Sequence, residues 1–86
     1  MARYRLLIKP LAVKDIEAIP LKQDRRRVVE HISKLAEDPP PSGSEKISGQ
    51  DKYRVRQGRY RILYAIADQD LVVEVVKVGH RRDVYR

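Results

Sequence analysis

Polar and apolar side chains alternate from the start of the chain. Across residues 2–9, Arg3, Arg5, Leu7 and Lys9 interleave with Tyr4, Leu6 and Ile8. A period of two predicts a first strand with one buried face. Pro10 ends that strand and suits the first turn of a short helix reaching about Ile19, with Leu11, Ile16 and Ile19 as the expected buried stripe. Pro20 closes it. A longer helix is predicted over residues 21–37, where Val29, Ile32 and Ala36 recur at helical spacing with Val28 and Leu35 beside them. Arg25, Arg26, Arg27 and Lys34 are expected to face water. Residues 38–44 read DPPPSGS, and three successive prolines continue neither a helix nor a sheet ladder, so this is a loop. Two strand-like runs follow, residues 53–68 with an interruption at Gln57-Gly58, and residues 71–78 after the turn Asp68-Gln69-Asp70. The predicted order is β-α-α-β-β-β. It describes one α+β domain over residues 1–86, with two N-terminal helices packed on a mainly antiparallel sheet.

Charge adds a direction to this outline. The formal net charge of the 86-residue chain is +7. Residues 1–51 carry 10 Lys or Arg against 8 Asp or Glu, and residues 52–86 carry 9 against 4, so the excess sits in the C-terminal part. Clustered cations gain affinity for a phosphate backbone by displacing its condensed counterions, which makes a polyanion the expected partner. An anionic membrane surface or an acidic protein would be attracted too. The chain has no cysteine, which excludes disulfides and thiolate metal sites and agrees with a reducing, cytoplasmic location. The apolar run near the N-terminus is short for a signal peptide, and no stretch of eighteen apolar residues occurs, so neither secretion by that route nor a membrane span is expected.

The densest pattern surrounds Gln57-Gly58. If those two residues form the hairpin turn, Arg56 lies opposite Arg59 and Arg54 opposite Arg61, with all four on one face. Tyr53, Val55, Tyr60 and Ile62 then share the other face. Like charges opposed across strands destabilise a sheet, and a bound anion would relieve the repulsion. No acidic residue occurs between Asp51 and Asp68, so phosphate is the natural counter-charge. Arginine on an exposed strand can also serve simply as a solvated, edge-protecting face. Its use at all four positions favours phosphate, because the planar guanidinium binds paired oxygens where lysine would suffice for solubility.

The C-terminal run VKVGHRRDVYR places His80, Arg81, Arg82 and Tyr85 close together. His80 carries an imidazole that could move a proton in phosphodiester cleavage, and Tyr85 could stack on a base or donate a proton. Equally, His80 could be an ordinary surface histidine and Tyr85 a cover for a sheet edge. His31, on the long helix one turn from Val28 and Leu35, reads as structural. With two histidines, no cysteine and no paired acidic motif, no metal-site spacing is present, and no glycine-rich phosphate loop or GxSxG elbow occurs.

The ordered segments YRVRQGRYRILYAI and VGHRRDVYR resemble the C-terminal half of RelE-type toxins. The strand, helix pair, proline-rich loop and KISG segment at 46–49 fit the same pattern. The chain is thus identified as a member of the RelE/ParE superfamily. The resemblance implies a toxin of a type II toxin–antitoxin system that cuts messenger RNA on the ribosome without metal or small-molecule cofactor, by attack of a ribose 2′-hydroxyl on the adjacent phosphate. It also implies silencing by a RelB-like antitoxin. Carried across position by position, Arg54 and Arg56 match two basic positions of one strand, Arg61 the arginine of the next, and Arg81 and Tyr85 the tail pair. Lys52, Arg59 and Arg82 are expected to add RNA contacts.

Two departures modify that expectation. The family often has lysine at both strand positions, one of which is regarded as a general base. Arginine, whose guanidinium keeps its proton in a protein, is a phosphate clamp and a poor base. Either His80 takes the role, or charge stabilisation suffices. The sequence also ends at Arg86, short of the extra helix of some relatives, so the expected antitoxin wraps the toxin and covers its basic face. Two other functions share the fold and charge: a ParE-like poison of DNA gyrase, and a non-catalytic RNA-binding module.

Overall fold

The computed structural model describes residues 4–37, 45–47, 52–67 and 69–80. Its elements run β1 (Arg5–Ile8), α1 (Pro10–Glu17), α2 (Lys22–Leu35), β2 (Glu45–Lys46), β3 (Lys52–Gln57), β4 (Tyr60–Ala67) and β5 (Val72–His80). The α+β outline therefore holds, with one addition. The two-residue strand β2 is too short to show a period in the sequence, and it exists because it pairs with β3, Glu45 with Arg54 and Lys46 with Tyr53.

The five strands lie in the order β1-β5-β4-β3-β2. After β1, the helices carry the chain to the far edge at β2. The antiparallel strands then return one by one until β5 lies parallel beside β1. Parallel neighbours need such a long crossover, whereas the hairpins need only a turn.

Helix α1 buries Ala12 and Ile16, with Ile19 just beyond its end. Leu11, an expected member of that stripe, is 71% exposed. A methyl side chain lets the helix close on β5, and the i, i+4 step from Ala12 to Ile16 then sets the buried line. In α2 the buried line is Val28, Ile32 and Leu35, followed by Ala36, and Val29 is 44% exposed instead of buried. The sheet meets these residues with Val55, Ile62, Tyr64, Val73, Val75 and Val78. Tyr53 stacks on the buried Tyr64 with ring centroids 5.7 Å apart.

Two irregularities shape the far half of β5. Strand β1 pairs only with Val72 to Val75. Beyond it, the Val78 N–H donates to Asp15 Oδ2 of α1 at 3.1 Å, so a helix carboxylate takes over where the strand stops. Between β4 and β5 the register also shifts: Leu63 pairs with Lys77 but Tyr64 with Val75, leaving Val76 as an extra residue. Such a bulge reverses which face each later side chain occupies.

Candidate functional site

One face of the sheet carries the helices, and among the described residues the other is open. Cross-strand partners share a face, so the pairs Arg54–Leu63, Arg56–Arg61, Arg61–Gly79 and Leu63–Lys77 place Arg54, Arg56, Arg61 and Lys77 together on the open side. Lys52, opposite Ala65, extends the basic area along β3. The other half of the open face is more apolar. A shallow cleft of about 630 Å³ there is lined by Arg5, Leu7, Ala65, Ile66, Ala67, Asp70, Val72 and Glu74.

The hairpin register differs from the sequence-based expectation. Gly58 and Arg59 form the turn, with Gln57 opposite Tyr60, Arg56 opposite Arg61 and Arg54 opposite Leu63. Gly58 has φ +61, the left-handed value glycine readily adopts at the first position of a type II′ turn. Arg59 therefore sits in the turn and leaves the strand face. The other three arginines keep their predicted side, because the register moved by an even step and side-chain facing has a period of two.

The guanidiniums also have a carboxylate neighbour, contrary to expectation. Arg54 Nη2 and Nε donate to Glu45 Oε2 at 2.8 and 3.1 Å. That acceptor comes from β2, nine residues earlier. The hydrogen bond and charge of Arg54 hold the Glu45 carboxyl below its usual range, with smaller contributions from Arg61 and Arg56. Three arginines thus act on one carboxylate, and the face remains strongly positive.

His80 does not join this face. The bulge puts Lys77 and Gly79 on the open side and turns Val78 and His80 toward the helices. The His80 ring instead meets Tyr60 edge-on, with centroids 5.8 Å apart and planes at 79°. It is thus set apart from Arg54, Arg56 and Arg61. Without the bulge, simple alternation from Val72 would have left it on the open face. Arg81, Arg82 and Tyr85 lie outside the described residues. His31, read as structural, bonds through Nδ1 to Gln57 Oε1 at 2.8 Å. Sequence reasoning missed Lys77, hidden by the same bulge, and Glu45, which no local spacing connects to Arg54. Among the described residues, no three His, Cys, Asp or Glu side chains are grouped to hold a metal ion.

A sheet with a basic open face and two helices behind it has clear relatives. A family model described as the ParE toxin of the type II toxin–antitoxin system, parDE, matches residues 6–85. The chain belongs to that toxin family. Within the wider RelE/ParE superfamily, this toxin superposes on a chain of the archaeal RelE–RelB complex from Pyrococcus horikoshii OT3 with a TM-score of 0.78. Identity there is 30%, over 98% of this chain and 100% of that one. A chain of the RelBE2 toxin–antitoxin complex from Mycobacterium tuberculosis gives a TM-score of 0.78 and 27% identity, covering 96% of this toxin and 97% of that chain. A local stretch of 34 residues is 44% identical to toxin RelG of Mycobacterium tuberculosis, spanning 40% of this chain and 39% of RelG.

Proposed function

We propose that this toxin is a metal-independent endoribonuclease that cleaves messenger RNA on the ribosome and so blocks translation. The observation that carries the reading is the open face itself, where Arg56 stands directly opposite Arg61 and Arg54 lies one alternation away. Arg56 and Arg61 are the groups to stabilise charge on the pentavalent phosphorus as the 2′-oxygen attacks and the 5′-oxygen leaves. Arg54, shared with Glu45, holds a neighbouring phosphate. Guanidinium is a poor base and His80 is turned away, so the rate enhancement rests on charge stabilisation and alignment of the 2′-hydroxyl with the phosphate. The resemblance adds Arg81 and Tyr85 as further groups at the reacting nucleotide.

A RelB-like antitoxin is the proposed protein partner, supported by structural relatives that are RelB–RelE complexes. Apolar side chains of its segment would lie along Leu7 and Val72, and acidic ones would meet the arginine end. The second reading is a ParE-like gyrase poison, favoured by the ParE description of the matching family. It leaves the Arg56–Arg61 opposition without a purpose.

Induction without antitoxin in a bacterial host, with messenger RNA ends mapped by primer extension, tests the choice. Wild type should create new 5′ ends inside translated codons and stop protein synthesis, and Arg61→Ala should do neither. Intact messages with arrested DNA replication would replace the ribonuclease reading with the gyrase one.

A further inference from the structure

Both histidines of the chain meet the same end of the β3–β4 hairpin. His31 on α2 bonds to Gln57, and His80 on β5 contacts Tyr60. Gln57 and Tyr60 are cross-strand partners and form the last pair before the turn. The pair next to them is Arg56 and Arg61, pointing to the opposite face. Any shift at Gln57 or Tyr60 is therefore passed to the two arginines through one peptide bond on each strand.

Apolar packing reaches this hairpin end on β4, where Tyr60 lies against the core, while Gln57 on β3 presents a polar side chain instead. On the helix-covered side, the buried residues of the hairpin stop at Val55 and Ile62, one step before Gln57 and Tyr60 on that face. Farther out, α2 and the hairpin are separated by a groove of about 310 Å³ lined by Arg27, Glu30, His31, Lys34 and Gln57. On β4 the end is also paired with β5, Tyr60 opposite His80, so it is the β3 end at Gln57 that the polar contact across the groove restrains.

We infer that His31 is a positioning residue: its Nδ1–H donates to Gln57 Oε1, fixing the hairpin end and with it the spacing of Arg56 and Arg61. The amide oxygen only accepts, so the bond requires a proton on Nδ1, which both the matching neutral tautomer and the charged ring provide. For its consequence in catalysis the inference rests on the ribonuclease reading. RNA affinity depends chiefly on how many cations meet the backbone, and reaction rate on where they stand. Loss of His31 should therefore separate the two.

The experiment measures single-turnover cleavage of messenger RNA on programmed ribosomes, binding to single-stranded RNA, and amide hydrogen exchange over residues 56–61 in the free toxin. His31→Ala should slow cleavage by about tenfold or more while RNA affinity stays within about twofold. His31→Asn, whose amide nitrogen falls near the Nδ1 position, should recover cleavage to within about threefold of wild type. Gln57→Met should reproduce His31→Ala, and the double variant should be no slower than either single one, as expected for one shared bond. Exchange at the hairpin end should accelerate in His31→Ala and return to wild-type rates in His31→Asn. Unchanged cleavage in His31→Ala, a parallel loss of cleavage and affinity with a lowered melting temperature, or no recovery in His31→Asn overturns the inference. If the wild-type toxin cuts no RNA, the ribonuclease reading fails on its own. Hydrogen exchange then decides whether His31 positions the hairpin.

Discussion

Arg54 and Glu45 show how a single contact can adjust a basic surface. Their side chains meet at 2.8 Å in an exposed setting, so the bond contributes little to stability but occupies part of the Arg54 fork. The carboxyl is held below its ordinary range, so its contribution to stability is complete above that range and is lost as the pH falls through the lowered value. Glu45→Gln should remove this acid-side loss, which thermal melts of both proteins across the acid range will reveal as converging curves. The same variant should bind single-stranded RNA more tightly, because one carboxylate no longer competes with phosphate. Glu45 was not evident as a site residue because its importance comes from pairing with β3, and two strand residues after a loop carry no signal of register.

At the scale of elements, β5 decides which groups reach the open face. Its first half follows simple alternation beside β1, and its second half follows the opposite phase after Val76. One inserted residue thus accounts for both the absence of His80 from the arginine face and the presence of Lys77 there. Asp15 supports this second half by accepting the Val78 N–H from α1. Asp15→Ala leaves a part-buried donor without its acceptor and should cost about 1–3 kcal/mol of stability, measured by urea unfolding. An unchanged urea midpoint would show that water replaces the carboxylate. The helices illustrate the same dependence on context: periodicity located them, but the choice of Ala12 over Leu11 and of Val28 over Val29 as buried residues came from how closely each helix packs on the sheet.

Over the whole molecule, the sheet separates two tasks. One face is committed to the core of Val55, Ile62, Tyr64, Val73, Val75 and Val78 beneath the helices. That leaves the other free to gather like charges whose mutual repulsion the core must outweigh. Arg56 and Arg61 oppose each other directly, a like-charge pairing that costs a few tenths of a kcal/mol before the nearby Glu45 carboxylate offsets part of it. Arg56→Ala should therefore leave folding stability unchanged or slightly raised. It should also weaken RNA binding and reduce the slope of log affinity against log salt by about 0.7, the value for one phosphate left without its cation. Titrations at several salt concentrations check this, and an unchanged slope would remove Arg56 from the RNA interface.

The order of strands and helices, the side of the sheet taken by Arg54, Arg56 and Arg61, and the superfamily were all legible in the amino-acid order. These depend on local periods, on charge and on an ordered motif, all of which are written along the chain. The hairpin register, the bulge at Val76, the approach of Glu45 to Arg54 and the joining of His31 to Gln57 across 26 residues came only with the folded arrangement. Each of these depends on which strands lie side by side and how closely a helix packs over them, and no single stretch of sequence encodes that distance.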